Sequence, residues 1–394
     1  MKALGIVAEY DPFHNGHRYH IVQSKKITGA DVIVCMLSGD FVQRGTPSFY
    51  DKYVRTHMAL DGGADIVLML PFAYSCQTAE IFAFGALHLL NLIGCTMLSF
   101  GSECDDIELL QQAAYDLCQQ DHHSCPALKT HLSSGRSFAK ARQLVLGNRN
   151  PQAAALLNHP NNILAIEYLK QILLHNYPIT PYAIKRVSVL HDEPIKKNTF
   201  SSASHIRQMI CNHNKEFTSC VPDFVADMLQ TLPYNLLENY RTILYQNLLI
   251  HTPQSLCAFP DISLSLANKM KNNLSFFSDI EEYIDLVADK RYTKSRIRRS
   301  LCHILIHFQH AHKDLSLIAP SYLRLLGFNE TGKKYLATRK KTNLVLSNVK
   351  DGYRKVDEAQ RAFLDYDLRA SDIYQLGIGG QKATEYRAAP IYVP

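Results

Sequence analysis

The first hundred residues alternate between short, almost unbroken apolar runs and longer amphipathic ones. Ala3–Glu9, Asp31–Leu37, Asp65–Leu70 and Thr96–Phe100 read as strands, with helical patterns between them at 17–27, 51–61 and 78–92. Strands that are apolar on both sides are those covered by helices on both faces of a sheet. Strand, helix, strand in strict alternation implies right-handed crossovers and a parallel α/β sheet. Ligands of such sheets lie beyond the carboxyl ends of the strands. Three polar segments fall there: His14-Asn15-Gly16-His17, Ser38-Gly39-Asp40 and Phe100-Gly101-Ser102-Glu103.

Residues 104–158 read as polar helices with breaks at Ser133-Ser134-Gly135 and Gly147–Pro151. Asn158-His159-Pro160-Asn161-Asn162 caps an amphipathic helix over Ile163–Leu174. A fifth strand, Tyr182–Leu190, leads to His191-Asp192-Glu193 and a Lys196-Lys197-Asn198 loop. Ser201-Ser202-Ala203-Ser204-His205-Ile206-Arg207 then starts a serine-capped helix. From about 222 onward the period is helical, with little strand signal before the C-terminal segment. The expected organisation is a Rossmann-like α/β domain over 1–220 and a mainly helical, basic domain over 221–394.

With 394 residues and 46% hydrophobic content, the chain is long enough for two or three domains with substantial cores. No apolar run reaches membrane-spanning length. Met1-Lys2 passes straight into strand pattern without a cleavage signature, so the cytoplasm is the expected compartment. The ten cysteines are scattered with no C-x-x-C pair, as expected of reduced thiols. His122-His123 with Cys125 lacks a partner pair at ligand spacing, so no metal site is expected. Charge does change the picture. Residues 1–230 hold 19 Lys and Arg against 20 Asp and Glu, whereas 231–394 hold 23 against 16. A near-neutral half joined to a basic one suits catalysis joined to polyanion binding.

Two segments carry the chemistry. Strand, turn, H-x-G-H and helix is a layout that resembles HIGH-type nucleotidyl-transferring enzymes. Helix-terminal N–H groups attract anions, Gly16 permits close backbone approach, and histidines three apart share a face. Both imidazoles can then donate to a departing pyrophosphate. Alone, the tetrad is equally compatible with local hydrogen bonding. Ser201–Arg207 gathers hydroxyls and an arginine at a second helix start, a natural phosphate cradle. Alone, it is an ordinary cap. Their joint occurrence at the proper places in an α/β order favours a nucleotide site.

More of the chain carries a narrower likeness. Gly5–His17, Ser38–Gly45, Phe100–Glu103, Asn161–Leu164, Ile184–Val187, His191-Asp192, Ser201–Arg207 and Tyr322–Asn329 are, in order, similar to bacterial tRNA(Met) cytidine acetate ligases. The resemblance implies activation of acetate by ATP, together with Mg, to acetyl-adenylate and pyrophosphate. It then implies acetyl transfer to N4 of the wobble cytidine of elongator tRNA(Met), giving N4-acetylcytidine. It further implies an ATP site built from Val7, Ala8, Glu9, Tyr10, Asp11, Pro12, Phe13, His14, Asn15, Gly16, His17, Arg18, Tyr19 and His20. Gly101, Asn162, Arg186 and Val187 complete that site, with Ser201, Ser202 and Ser204 on the phosphates. His14, His17 and Arg207 are the expected catalytic residues. Asp11 stands where Asn is usual, and Ala165 where Gly is usual.

For RNA, the expected patch is Lys290, Arg291, Lys294, Arg296, Arg298 and Arg299, with 291, 294/295 and 298 on one helix face. Lys333-Lys334 and Arg339-Lys340-Lys341 form a second basic run, and Tyr292 and Tyr335 are candidates to stack on splayed bases. Asp40, Arg44, Lys52 and His57 are second-rank rim candidates. No membrane or protein partner is expected. Two other readings remain at this point: a cofactor-type adenylyltransferase acting on a nucleotide monophosphate, and a non-catalytic RNA-binding protein on a degenerate core.

Overall fold

The computed structural model describes residues 1–394 except 120–124, 187–199, 340–343 and 381–383, and leaves out the side chains of 311–314 and 384. The first four expected strands are β1 (Ala3–Ala8), β2 (Val32–Ser38), β5 (Ile66–Leu70) and β6 (Met97–Ser102), with a small hairpin of β3 (Phe41–Val42) and β4 (Thr46–Pro47) after β2. Between them lie α1 (Asn15–Thr28), α2 (Lys52–Asp61), the short α3 (Phe72–Ser75) and α4 (Ala79–Ile93). Every residue of β2 and β5 is buried, as the continuous apolar runs require. Helices α5 (Ile107–Cys118), α6 (Pro126–Ser133), α7 (Phe138–Gly147) and α8 (Pro151–Leu156) fill the polar stretch, and α9 (Pro160–His175) leads to β7 (Thr180–Lys185). The Ser201 segment starts α10 (Ala203–Cys211).

Parallel pairing in the order β5-β2-β1-β6-β7 gives the expected sheet. Its edge differs from expectation. β8 (Tyr322–Asn329) pairs antiparallel to β5, and β9 (Leu344–Leu346) and β10 (Ile391–Val393) pair with β8. The remainder of the C-terminal half is helical, but these three strands join the N-terminal sheet. The expected division after 220 is therefore not a division of the sheet. One hydrophobic core runs from Val34 and Leu68 through Leu301 and Ile304 to Phe363.

Buried charges bolt the halves together. Lys52 Nζ reaches Asp40 at 2.6 Å and Glu385 at 2.9 Å, and Arg324 reaches Glu385 at 2.8 Å. Ser371, on the Glu358–Gly377 helix, donates to Asp40 at 2.6 Å. Asp40 and Lys52 thus serve the scaffold. His57 is exposed on α2. Arg55 is wholly buried and ties the strand ends, donating to the carbonyls of Glu9 (2.7 Å), Ser38 (3.0 Å) and Gly39 (2.5 Å).

Candidate active site

A cavity of about 690 Å³ opens at the carboxyl ends of β1, β6 and β7, a size typical of small-molecule sites. Its floor is the turn from β1 into α1. Tyr10 there has φ of +47°, a region bulky residues rarely adopt, which marks a constrained backbone. His14 is the N-cap of α1 and forms a reciprocal capping box with His17. The His17 N–H donates to His14 Nδ1 at 3.3 Å, and the His14 N–H donates to His17 Nδ1 at 3.2 Å. The rings stack with centroids 3.5 Å apart and planes 18° apart. A Cβ at Gly16 would come within 2.9 Å of the His14 ring, so the pair needs that glycine.

These bonds fix the protonation of both rings. A backbone N–H can only donate, so each Nδ1 must be an unprotonated acceptor. Burial, followed by the Arg186 charge, pushes His14 down to about 3. Burial pushes His17 well below the ordinary range too, followed by the neighbouring His14, Arg186 and His20. Both rings are neutral near pH 7, and each carries its proton on Nε2. The tetrad is therefore a pair of Nε2–H donors at a helix N-terminus, suited to phosphate oxygens. His20, lowered to about 4 by burial and Arg186, bonds Ser99 Oγ through Nε2 at 2.9 Å.

The opposite wall is the start of α10. Ser202 caps it, accepting from the His205 N–H at 3.2 Å, and sits 3.1 Å from Ser204 Oγ. Ser201, Ser202 and Arg207 line the cavity. Arg207 Nη1 donates to the Asp11 carbonyl at 2.6 Å and lies 3.4 Å from its carboxylate. Asp11 Oδ1 accepts from the Phe49 N–H at 2.6 Å. Asp11 is thus a buried anchor for Arg207 and for the loop before α2.

Gly101 and Arg186 form the third wall, close enough that a Cβ on Gly101 would touch the arginine stem at 3.4 Å. Asn162 stands behind this wall: its Oδ1 accepts from Ser102 Oγ (2.7 Å) and the N–H groups of Glu103 and Cys104 (3.0 Å each). Its neighbour Asn161 faces the cavity and receives Arg186 Nη1 at 3.5 Å. Val7, Ala8, Glu9, Tyr10, Tyr19 and His20 also line the space. Pro12, Phe13, Asn15, Arg18 and Ser204 flank it; Phe13 is buried against Tyr10 and Phe224, and Asn15 bonds the Ser219 carbonyl at 3.0 Å. Val187 lies outside the described residues, as do His122, His123, His191, Asp192, Lys196, Lys197, Lys340 and Lys341. Sequence reasoning missed Gln43, Phe82, Leu164, Tyr168 and Phe200 as lining residues, named Phe100 and His205 only as parts of their segments, and ranked Arg44 low.

The basic stretch is rearranged relative to expectation. The helix starts only at Lys294 (Lys294–Ile306), so Lys290 and Arg291 lie in the turn before it. Both are exposed and, among the described residues, form no ion pair. Lys294 pairs with Asp285 at 2.5 Å, and Arg298 pairs with Glu281. Arg299 is buried and bound to Asp261 at 2.9 Å, because the helix packs against the β3–β4 hairpin there. The contact is so close that a Cβ at Gly45 would lie 2.2 Å from the Arg299 nitrogen. Arg296 donates to the Asp261 carbonyl at 2.8 Å and lies over the Tyr292 ring. Tyr292 and Tyr335 are core residues, and the Tyr335 hydroxyl donates to the carbonyls of Ile93 and Gly94, so neither ring is open for stacking. Lys333 pairs with Glu330, and Arg339 covers Gly94. Among the described residues no group of three His, Cys, Asp or Glu is arranged to hold a metal, and no helix is long and apolar enough to cross a membrane.

The chain matches the HIGH Nucleotidyl Transferase family over residues 1–388. It is 38% identical to a tRNA(Met) cytidine acetate ligase of Caldicellulosiruptor saccharolyticus, over 100% of this chain and 99% of that one. A relative of the same name from Thermoanaerobacter pseudethanolicus is 40% identical over 95% of both chains. The crystal structure of Thermotoga maritima TmcAL bound with alpha-thio ATP superposes with a TM-score of 0.91 at 30% identity, covering 100% of both chains.

Proposed function

The chain belongs to the tRNA(Met) cytidine acetate ligase family, and on that premise we propose that the cavity binds ATP and makes acetyl-adenylate from acetate. The observation that carries this reading is the convergence of two neutral Nε2–H donors, Arg186, Arg207 and the α10 start on one cavity. Acetate oxygen attacks the α-phosphorus, the α–β bridging bond breaks, and pyrophosphate leaves. Such a step demands alignment and dispersal of developing charge more than covalent help. His14 and His17 donate to the departing pyrophosphate, while Arg207 and the serine hydroxyls hold the outer phosphates. Gly101 gives the adenine a flat approach to the strand end. Asp11 and Glu103 are spent on protein donors, so magnesium would be held mainly by the ATP phosphates rather than by these two carboxylates.

The acetyl group then passes to N4 of the wobble cytidine of elongator tRNA(Met). The RNA approaches over Lys290, Arg291, Lys294 and Arg296, beside the hairpin that carries Arg44 to the cavity. Acetate-dependent exchange between ATP and pyrophosphate, followed by acetyl transfer to tRNA(Met), tests the reading. Exchange that ignores acetate, or that requires a nucleotide monophosphate, would replace it with a cofactor-type adenylyltransferase.

A further inference from the structure

We infer that Glu9 is the proton acceptor for the acyl-transfer step, taking the N4 proton of the cytidine as the amide bond forms. This inference rests on the acetyl-adenylate reading above. The chemistry creates the need. The cytosine N4 lone pair is delocalised into the ring, so the amine is hardly basic and becomes strongly acidic once it bonds to the acyl carbon. The leaving group, AMP, departs as a phosphate and needs no proton. A base beside the attacking nitrogen is therefore the group the step calls for.

The cavity holds few candidates. His14 and His17 have spent their Nδ1 acceptors on backbone N–H groups and carry protons on Nε2, so neither has a lone pair to offer. His20 uses Nε2 on Ser99, and His205 sits on the opposite wall, in the first turn of α10 beside the serines assigned to the outer phosphates. Of the three lining carboxylates, Asp11 is committed to the Phe49 N–H and Arg207. Glu103 is committed through both oxygens, to Asn161 Nδ2 at 2.6 Å and to the Asn162 N–H at 2.9 Å. Glu9 differs. Its Oε1 accepts from the Gln43 N–H at 2.8 Å, and among the described residues no protein donor takes its Oε2.

Placement supports the role. Arg55 pins the Glu9 carbonyl at 2.7 Å, and the Gln43 N–H fixes the carboxylate, so the free oxygen is aimed by two separate bonds. The wall beyond is apolar, formed by Phe82, Phe100 and Tyr168. Burial raises the proton affinity of Glu9, against the opposing Gln43 N–H. A carboxylate so placed accepts a proton more readily than one in water. Arg44 lies beside it at the rim, on the side where the hairpin meets the basic helix. The step balances: N4 bonds to the acyl carbon, the acyl–oxygen bond to phosphate breaks, AMP takes that electron pair, and Glu9 Oε2 receives the proton before releasing it to water.

Glu9→Gln keeps the Oε1 acceptor for Gln43 and removes the base. Two rates are compared: acetate-dependent pyrophosphate exchange, and single-turnover transfer from enzyme-bound acetyl-adenylate to tRNA(Met). The ratio of transfer to exchange falls about 100-fold, the lower end of what a positioned base supplies. Glu9→Asp, which keeps the carboxylate, recovers part of that ratio. In the parent protein, single-turnover transfer rises with pH along one carboxylate limb displaced above the ordinary glutamate range, and the Gln variant lacks the limb. Parallel loss of both rates would make Glu9 a nucleotide-binding residue, and undiminished transfer or a flat parent profile would also overturn the inference. Failure of the parent protein to exchange in an acetate-dependent way would instead overturn the function it rests on.

Discussion

Two helix starts in this molecule look alike as sequence and behave as opposites. Both α1 and the Lys294–Ile306 helix begin with a concentration of nitrogen-bearing side chains, and both suggest an anion site. At α1 the two imidazoles are held by the helix's own backbone, through bonds of 3.2 and 3.3 Å, and among the described residues no protein acceptor takes their Nε2–H groups from the cavity. At the basic helix the cations reach sideways to other elements: Lys294 to Asp285, Arg298 to Glu281, Arg299 to Asp261. Donors locked by local geometry remain available to a ligand. Donors locked by tertiary carboxylates become part of the scaffold, and the free cations are displaced into the preceding turn.

The sharpest way to break this contrast is His17→Ala. Removing one preorganised donor to a developing charge costs about 3–4 kcal/mol, so pyrophosphate exchange falls by a factor of order 100 to 1,000. That is more than is accounted for by the loss of about 1 kcal/mol of stability with the acceptor of the His14 N–H. His14→Ala loses the same donor and, in addition, about 1 kcal/mol of helix capping. Wild-type exchange in the His17 variant would reduce the pair to a structural cap. At the other helix, Arg299→Ala strands Asp261 and lowers unfolding free energy by about 2–3 kcal/mol in urea. Lys294→Ala, which breaks an exposed pair, changes it by less than about 1 kcal/mol.

The same contrast explains what could be read from the sequence. The α1 site was legible because its parts lie within four residues and the capping box is a local rule. The parallel sheet was legible from runs such as Val32–Ser38, buried along their whole length. β8 was not, because Arg324 interrupts its apolar run and reads as solvent-facing; its partner Glu385 lies 61 residues further on, and the arginine is in fact buried. Tyr292 and Tyr335 misled in the same way, as aromatics among charges that turn inward. Phe82, Tyr168 and Gln43 reach the cavity from three separate elements, and nothing local announces that they meet. The Asp11 departure was visible, but its role depended on Phe49 and Arg207.

A smaller effect follows from the neutral rings. The folded proton affinities of His14, His17 and His20 are all lowered, by burial first. Between the ordinary histidine value and about 4 for His20, the unfolded chain binds protons that the folded chain refuses. The stability these groups allow is full above the unfolded value and is lost as pH falls through that window. The melting temperature of the nucleotide-free protein therefore drops on acidification below about pH 6.5. His20→Gln, which keeps a partner for Ser99, shallows that drop by a few degrees. An identical drop in the variant would mean that His20 is charged in the folded state.

The smallest effect tests the displaced cations. Lys290 and Arg291 are the members of the expected patch that are exposed and, among the described residues, in no ion pair. They meet RNA phosphates without first giving up a protein partner, whereas Arg296 would give up the Asp261 carbonyl. Reversing both to Glu weakens tRNA binding by roughly tenfold and lowers the slope of log affinity against log salt by about two, one for each lost phosphate contact. Arg298→Glu meets Glu281 and unsettles the helix, so any loss of affinity there arrives together with a loss of stability. If the paired positions instead set the salt slope and the turn does not, then the carboxylates are exchanged for phosphates on binding. The basic helix would then open its ion pairs to RNA, and the difference between the two helix starts would be one of occupancy rather than of design.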